Sequence, residues 1–314
     1  MQKYLSRRAF NAGMLSLIAI PFAQALPLMS RNRGDESPCF TLRLPSELEH
    51  ADVAFQAFAL DDKNKEIYGQ FVTRTKPSKA LIAKYSLVPE GESLPVSIQA
   101  ATASIGHQGL TLQHQREKTW LWAAAPGRSR GVVRFQYEAD TTPTIEKYTL
   151  FDESYARFSI TVAVSYDGKW LIAASRKKGP KGGVNSVRVF EMKAVLESPA
   201  GDCSTLFTYE WEIPTKAKLP VQGLACHDDT VAISYGTSKA AEAKPVFFFS
   251  MKGEALAKLP DVNTGKAALA PRRSYEPEGL CYGQPGDGMS PILYIGITTG
   301  RAELGRTHAI YALK

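Results

Sequence analysis

Residues 160–174 read Ile160-Thr161-Val162-Ala163-Val164-Ser165-Tyr166-Asp167-Gly168-Lys169-Trp170-Leu171-Ile172-Ala173-Ala174. Two apolar runs flank Asp167-Gly168, and that pair favours a tight hairpin because glycine accepts positive φ without a steric penalty. A third run, Ser186 to Met192, follows after a loop. The unit is strand, turn, strand, loop, strand. It recurs with openings at Phe55-Gln56-Ala57-Phe58, His107-Gln108-Gly109-Leu110, Val221-Gln222-Gly223-Leu224 and Pro277-Glu278-Gly279-Leu280. The second residues of the five openings, Gln56, Gln108, Thr161, Gln222 and Glu278, are spaced by 52, 53, 61 and 56 positions. Short alternating strands at a near-constant period read as propeller blades, each a small antiparallel sheet. The expected fold is all-β, a five-bladed β-propeller, with a β-sandwich as the alternative.

The chain ends support closure of a ring. Fourth strands are expected at Val96 to Ala101, Ile145 to Phe151, Thr205 to Ile213 and Glu254 to Leu259. The fifth copy has none before Lys314, whereas Cys39 to Leu44 alternates like a strand ahead of the first copy. If that strand completes the last blade, each end supplies what the other lacks and no sheet edge stays open. Helical pattern is confined to Met192 to Glu197.

Outside the repeats, the first residues carry an address. Arg7-Arg8-Ala9-Phe10 precedes an uncharged stretch, and Ala23-Gln24-Ala25 offers small residues to a signal peptidase. The paired arginines resemble a twin-arginine export signal. The expected organisation is a signal peptide over 1–25 cleaved after Ala25, a linker over 26–38 and one propeller domain over 39–314. The twin-arginine translocase is then a partner during export, and the mature protein is periplasmic or secreted. No run reaches the ~18 apolar residues of a membrane span, so no stable membrane anchor is expected. The chain holds 38 Lys+Arg against 31 Asp+Glu, a formal +7, and Lys3, Arg7 and Arg8 belong to the leader. That balance does not indicate a nucleic-acid partner.

Gly106-His107-Gln108-Gly109-Leu110, Glu276-Pro277-Glu278-Gly279-Leu280 and Val132-Val133-Arg134-Phe135 carry a resemblance. They are similar to the five-bladed propeller domain shared by helveticin-like bacteriocins, a teichoic-acid-biosynthesis protein and some phage receptor-binding proteins. The resemblance spans about Cys39 to Lys314, and Thr161-Val162 departs from its pattern. It implies the fold and a cell-envelope glycan setting, not a reaction.

The chain lacks G-x-S-x-G, H-E-x-x-H, G-x-x-x-x-G-K-[ST], G-x-G-x-x-G and C-x-x-C, which removes local support for serine-hydrolase, zincin, nucleotide and dithiol chemistry. The five histidines have no metal-ligand spacing. No cofactor is expected, although a ring could gather distant ligands for Ca²⁺ in its central channel. Strand starts converge on the axis of a ring, so Gln56, His107, Gln108, Gln222, Glu276 and Glu278 are the ligand-binding candidates. Arg272 and Arg273 beside Tyr275 are anion-binding candidates. Arg176-Lys177-Lys178 reads as a solvated loop, and Trp120, Trp122, Trp170 and Trp211 read as core. Cys226 and Cys281 sit on neighbouring opening strands, where either a bridge or buried free thiols would fit.

Three functions follow. The first is a binding or scaffold module for an envelope glycan or similar small ligand. The second is an enzyme acting on a sugar or phosphodiester linkage. Glycoside hydrolysis needs two carboxylates, and the ring supplies only Glu278 unless Asp61, Asp62, Glu276 or Asp287 assists. The third is a bacteriocin-like toxin. The amide-rich ring suits hydrogen bonding to hydroxyls better than acid–base work.

Overall fold

The structure, a computed structural model, describes residues 36–49, 53–73, 75–88, 91–127, 129–155, 160–179, 183–213, 219–266, 274–301 and 305–313. Arg7, Arg8, Ala25, Arg272 and Arg273 lie outside the described residues. Five antiparallel sheets follow one another along the chain. Their innermost strands are Val53–Asp61, Leu110–Gln115, Thr161–Val164, Val221–His227 and Tyr275–Gly283, which define blades 1 to 5. Each inner strand neighbours the next around a ring, and the fifth neighbours the first. Five apolar clusters fill the five interfaces between blades. The protein is a five-bladed β-propeller, as the repeat requires.

Closure occurs as expected. Phe40–Leu42 pairs antiparallel with the last strand, Gly305–Leu313, setting Phe40 opposite Ile310 and Leu42 opposite His308. Phe40, Leu42 and Leu44 are buried among residues of blades 5 and 1. A short strand at Glu92–Ser93 pairs in parallel with the outer side of this strand. The sequence did not suggest that fifth member, because two polar residues carry no alternating pattern. The fourth strand of blade 1 is shorter than expected, only Ser97–Ile98. A helical turn at Ser46–Glu49 joins the expected one, which forms as Met192–Leu196.

The Asp167-Gly168 turn forms with Gly168 at φ +74°. The Asp167 carboxylate accepts from the Ser165 hydroxyl at 2.6 Å and the Lys169 N–H at 3.1 Å. Trp122 and Trp211 are core residues. Trp211 Nε1 donates to the Met251 carbonyl at 3.1 Å, tying blade 3 to blade 4. Trp120 carries the Arg134 guanidinium 3.7 Å above its ring. The basic loop is pinned to its surroundings: Lys177 Nζ reaches Glu210 at 3.4 Å and Lys178 Nζ donates to the Glu153 carbonyl at 2.6 Å. None of the four cysteines is in a disulfide, so Cys226 and Cys281 form no bridge. Among the described residues, no helix is long and apolar enough to cross a membrane.

Candidate functional site at the two mouths of the channel

The recurring Gln-Gly and Glu-Gly pairs have a backbone cause. In blade 1 the register passes from Phe55–Phe71 to Ala57–Gln70, which leaves Gln56 as an extra residue. Gln222 is the extra residue of blade 4 in the same way, and Glu278-Gly279 together face Gly296 in blade 5. These are β-bulges, which re-aim a side chain out of the regular alternation. Thr161 pairs regularly with Ala174, so the inner strand of blade 3 has no bulge there.

The glycine that follows serves close packing at the axis. A Cβ on Gly109 would stand 2.6 Å from the Val162 nitrogen, and one on Gly223 2.7 Å from the Gly279 carbonyl carbon. One on Gly279 would stand 3.1 Å from Ala57 Cα. Gly109 and Gly279 also have φ of +71° and +89°. Inner strands of blades 2 and 3, of blades 4 and 5, and of blades 5 and 1 therefore approach backbone to backbone.

At one mouth of the channel Gln222 is the hub. Its Nε2 donates to the Gly236 carbonyl at 3.0 Å and to Glu276 Oε1 at 3.3 Å, and its Oε1 accepts from Gln108 Nε2 at 3.5 Å. Glu278 is 4% exposed. Burial pushes its pKa well above the ordinary carboxylate range. The neighbouring Glu276 adds to the rise, and Arg306 opposes it. Glu276 thus supplies a second carboxyl beside Glu278, two residues earlier on the same strand.

The remaining candidates stand apart from that chain of bonds. Gln56 turns its amide back to the Phe55 carbonyl at 2.9 Å. His107 meets the Ser78 hydroxyl at 3.1 Å, and burial lowers its pKa. Sequence reasoning missed Lys244. It is fully buried, donates to the Lys239 carbonyl at 2.7 Å, and packs with Pro277 over Gly236, behind Gln222. An interior lysine carries no sequence pattern that would mark it. Among the described residues no three His, Cys, Asp or Glu side chains gather as a metal set.

Asp61, Asp62 and Asp287 do not join Glu278. An inner strand advances about 3.3 Å per residue, so the exit of blade 1 at Asp61 lies roughly 15 Å beyond Gln56. A cavity of about 300 Å³ opens at that exit, lined by all five blades. Asp61 is fully buried and accepts from Asn64, Thr119 and His114, which makes it a turn residue. Asp62 Oδ2 accepts from the Tyr166 hydroxyl at 3.0 Å and the Gln284 N–H at 2.9 Å. Its Oδ1 is buried without a hydrogen bond among the described residues.

Residues 54–312 match the profile of a family described as the phage five-bladed β-propeller receptor-binding platform domain. No curated protein matches the chain significantly. Among solved structures, the tail fibre of Staphylococcus aureus phage P68 superposes with a TM-score of 0.65 at 16% identity. That similarity covers 88% of this chain and 52% of the fibre, so the chain spans about half the fibre's length. A GH43_1 enzyme from Xanthomonas citri is similar at a TM-score of 0.52 and 12% identity, over 85% of this chain and 89% of the enzyme. At these identities both similarities concern the fold.

Proposed function

The chain belongs to the family of phage five-bladed β-propeller receptor-binding platform domains, and from that premise we propose that it is an exported binding module for a cell-envelope glycan. The observation that carries this reading is the axial mouth built by Gln108, Gln222, Glu276 and Glu278. Amide and carboxyl groups offer donors and acceptors together, as a ligand rich in hydroxyls requires. Glu278 supplies a buried carboxyl to which a ligand hydroxyl would bond. Arg272 and Arg273 precede Glu276 closely in sequence and would favour an anionic glycan. Export through the twin-arginine translocase and a periplasmic or secreted location follow from Arg7, Arg8 and the cleavage site after Ala25.

A second reading, hydrolysis of a glycosidic bond, rests on one observation. Burial raises the pKa of Glu278, which is the direction of shift a general acid requires. Glu276 would be its partner.

One variant separates the readings. Wild type and Glu278→Gln are compared by thermal shift with soluble envelope polysaccharide fragments, phosphosugars and Ca²⁺, and by release of reducing sugar. Binding that weakens in Glu278→Gln without sugar release supports the module, and release abolished by Glu278→Gln supports the enzyme. No shift of wild type with any of these probes refutes a functional site at this mouth.

A further inference from the structure

The opposite mouth carries its own arrangement. Residues at the inner-strand exits form a second ring, chemically unlike the first: Asp62 in blade 1, His114 in blade 2, Tyr166 in blade 3, His227 in blade 4 and Tyr282 in blade 5. Tyr166 and Tyr282 line the cavity, and the His227 ring bridges them from behind. Tyr166 stands edge-on to His227 at 5.6 Å, and His227 lies 5.3 Å from Tyr282. Beneath them the cavity floor is apolar, with Leu60, Val164, Leu224 and Leu280 from four blades. Its volume, about 300 Å³, lies at the lower end of the range for small-molecule pockets. Polar groups surround this floor, among them Asp62, Lys63, Lys65, His114 and Gln284.

The polar groups narrow the ligand class. Two lysines stand at the rim, and each has a carboxylate partner: Lys65 meets Asp287 at 2.7 Å and Lys63 meets Glu117 at 3.9 Å. Burial raises the pKa of Asp62 more than its hydrogen bonds from Gln284 and Tyr166 and the charge of Lys65 lower it. What the site does offer is an aromatic wall, an apolar floor and a carboxyl with one buried, unbonded oxygen. That combination suits a neutral ring with one apolar face and hydroxyls at its edge.

We propose that this cavity is a second ligand site, distinct from the Glu278 mouth, and that it takes a single neutral sugar ring. The ring lies against Tyr166 and Tyr282 and donates a hydroxyl to Asp62. Tyr166 is 37% exposed, the freer of the two donors on Asp62. Its hydroxyl gives way to the ligand, while the Gln284 N–H stays in place.

The test titrates the full chain with D-glucose, N-acetyl-D-glucosamine and D-xylose, using choline and inorganic phosphate as charged controls. Binding is read by calorimetry and by the shift in Tm. The expected result is binding of at least one sugar, weakened about tenfold or more by both Asp62→Asn and Tyr166→Ala. Tyr166→Phe keeps the ring and removes the competing hydroxyl, so it binds at least as well as wild type. Circular dichroism confirms that each variant is folded, and cross-peak shifts of the Tyr166 and Tyr282 rings in wild type give a reading that needs no variant. The inference is overturned if no sugar binds, if only choline or phosphate binds, or if Asp62→Asn and Tyr166→Ala leave affinity unchanged. It is also overturned, with the binding-module reading intact, if Glu278→Gln alone removes the sugar.

Discussion

Replacing Glu278 by glutamine should change how stability depends on pH. Burial, with Glu276 adding to it, raises the folded-state pKa of Glu278 well above the 4.5 of an unfolded chain. Between those two values only the folded state holds the proton. The unfolded state then releases a proton that the folded state keeps, so folding becomes less favourable as pH rises. The slope is about 1.4 kcal/mol per pH unit for one group. Below the unfolded value both states are protonated and the penalty vanishes. A chain of this size moves by roughly 2 °C per kcal/mol, so Glu278 contributes a fall of about 3 °C in Tm per pH unit. Glu278→Gln is uncharged at every pH and nearly isosteric. The two proteins should therefore melt together near pH 4, with the variant increasingly the more stable toward neutrality. Every other titrating group is common to both, so the difference between the melting curves isolates Glu278. Parallel Tm–pH curves would refute the argument, because they would mean that Glu278 keeps an ordinary carboxylate pKa.

Four other outcomes are expected. Leu42→Ala should cost about 2–5 kcal/mol by thermal or denaturant unfolding, because Leu42 is 1% exposed in the closing strand. Gly109→Ala should cost roughly 2–4 kcal/mol by the same measurement, since its Cβ would collide with the Val162 backbone from a positive φ. Arg188→Ala should cost about 3–5 kcal/mol: its buried guanidinium joins Asp152 and Glu210 and lies 4.4 Å from the Phe207 ring. Replacing Arg7 and Arg8 together by lysine should leave precursor in the cytoplasm, read by immunoblot of fractionated cells.

The architecture was legible because a repeat betrays itself five times. Gln108, Gln222 and Glu276 join in one chain of hydrogen bonds, and Phe40–Leu42 closes the ring. Boundaries moved where polar residues hold backbone positions, as at Glu92–Ser93. The reason for the Gln-Gly pairs was hidden, because a bulge and a backbone contact between blades leave only a glycine in the sequence. Pairing of carboxylates was also hidden. Asp61 and Asp62 are near Gln56 along the chain, yet the length of a strand carries them to the other mouth. The aromatic rim has a repeat of its own at positions 114, 166, 227 and 282, but its residue types differ enough to mask the period.

The way the two chain ends meet has a mechanical consequence. Phe40 faces Ile310 and Leu42 faces His308, so the incoming and outgoing backbones leave the pairing from the same end. A force that draws the two ends apart loads the Phe40–Ile310 rung first, then each rung in turn. Loading in sequence is the weak direction of a sheet, since the rungs never share the force as they do under shear. Tension along the chain would therefore peel the N-terminal strand away before any blade gives way, and expose the apolar seam it covers. A tether at the N-terminus would act as the rip-cord of this ring, whereas a tether on an outer strand of blade 2 or 3 would leave the seam shut.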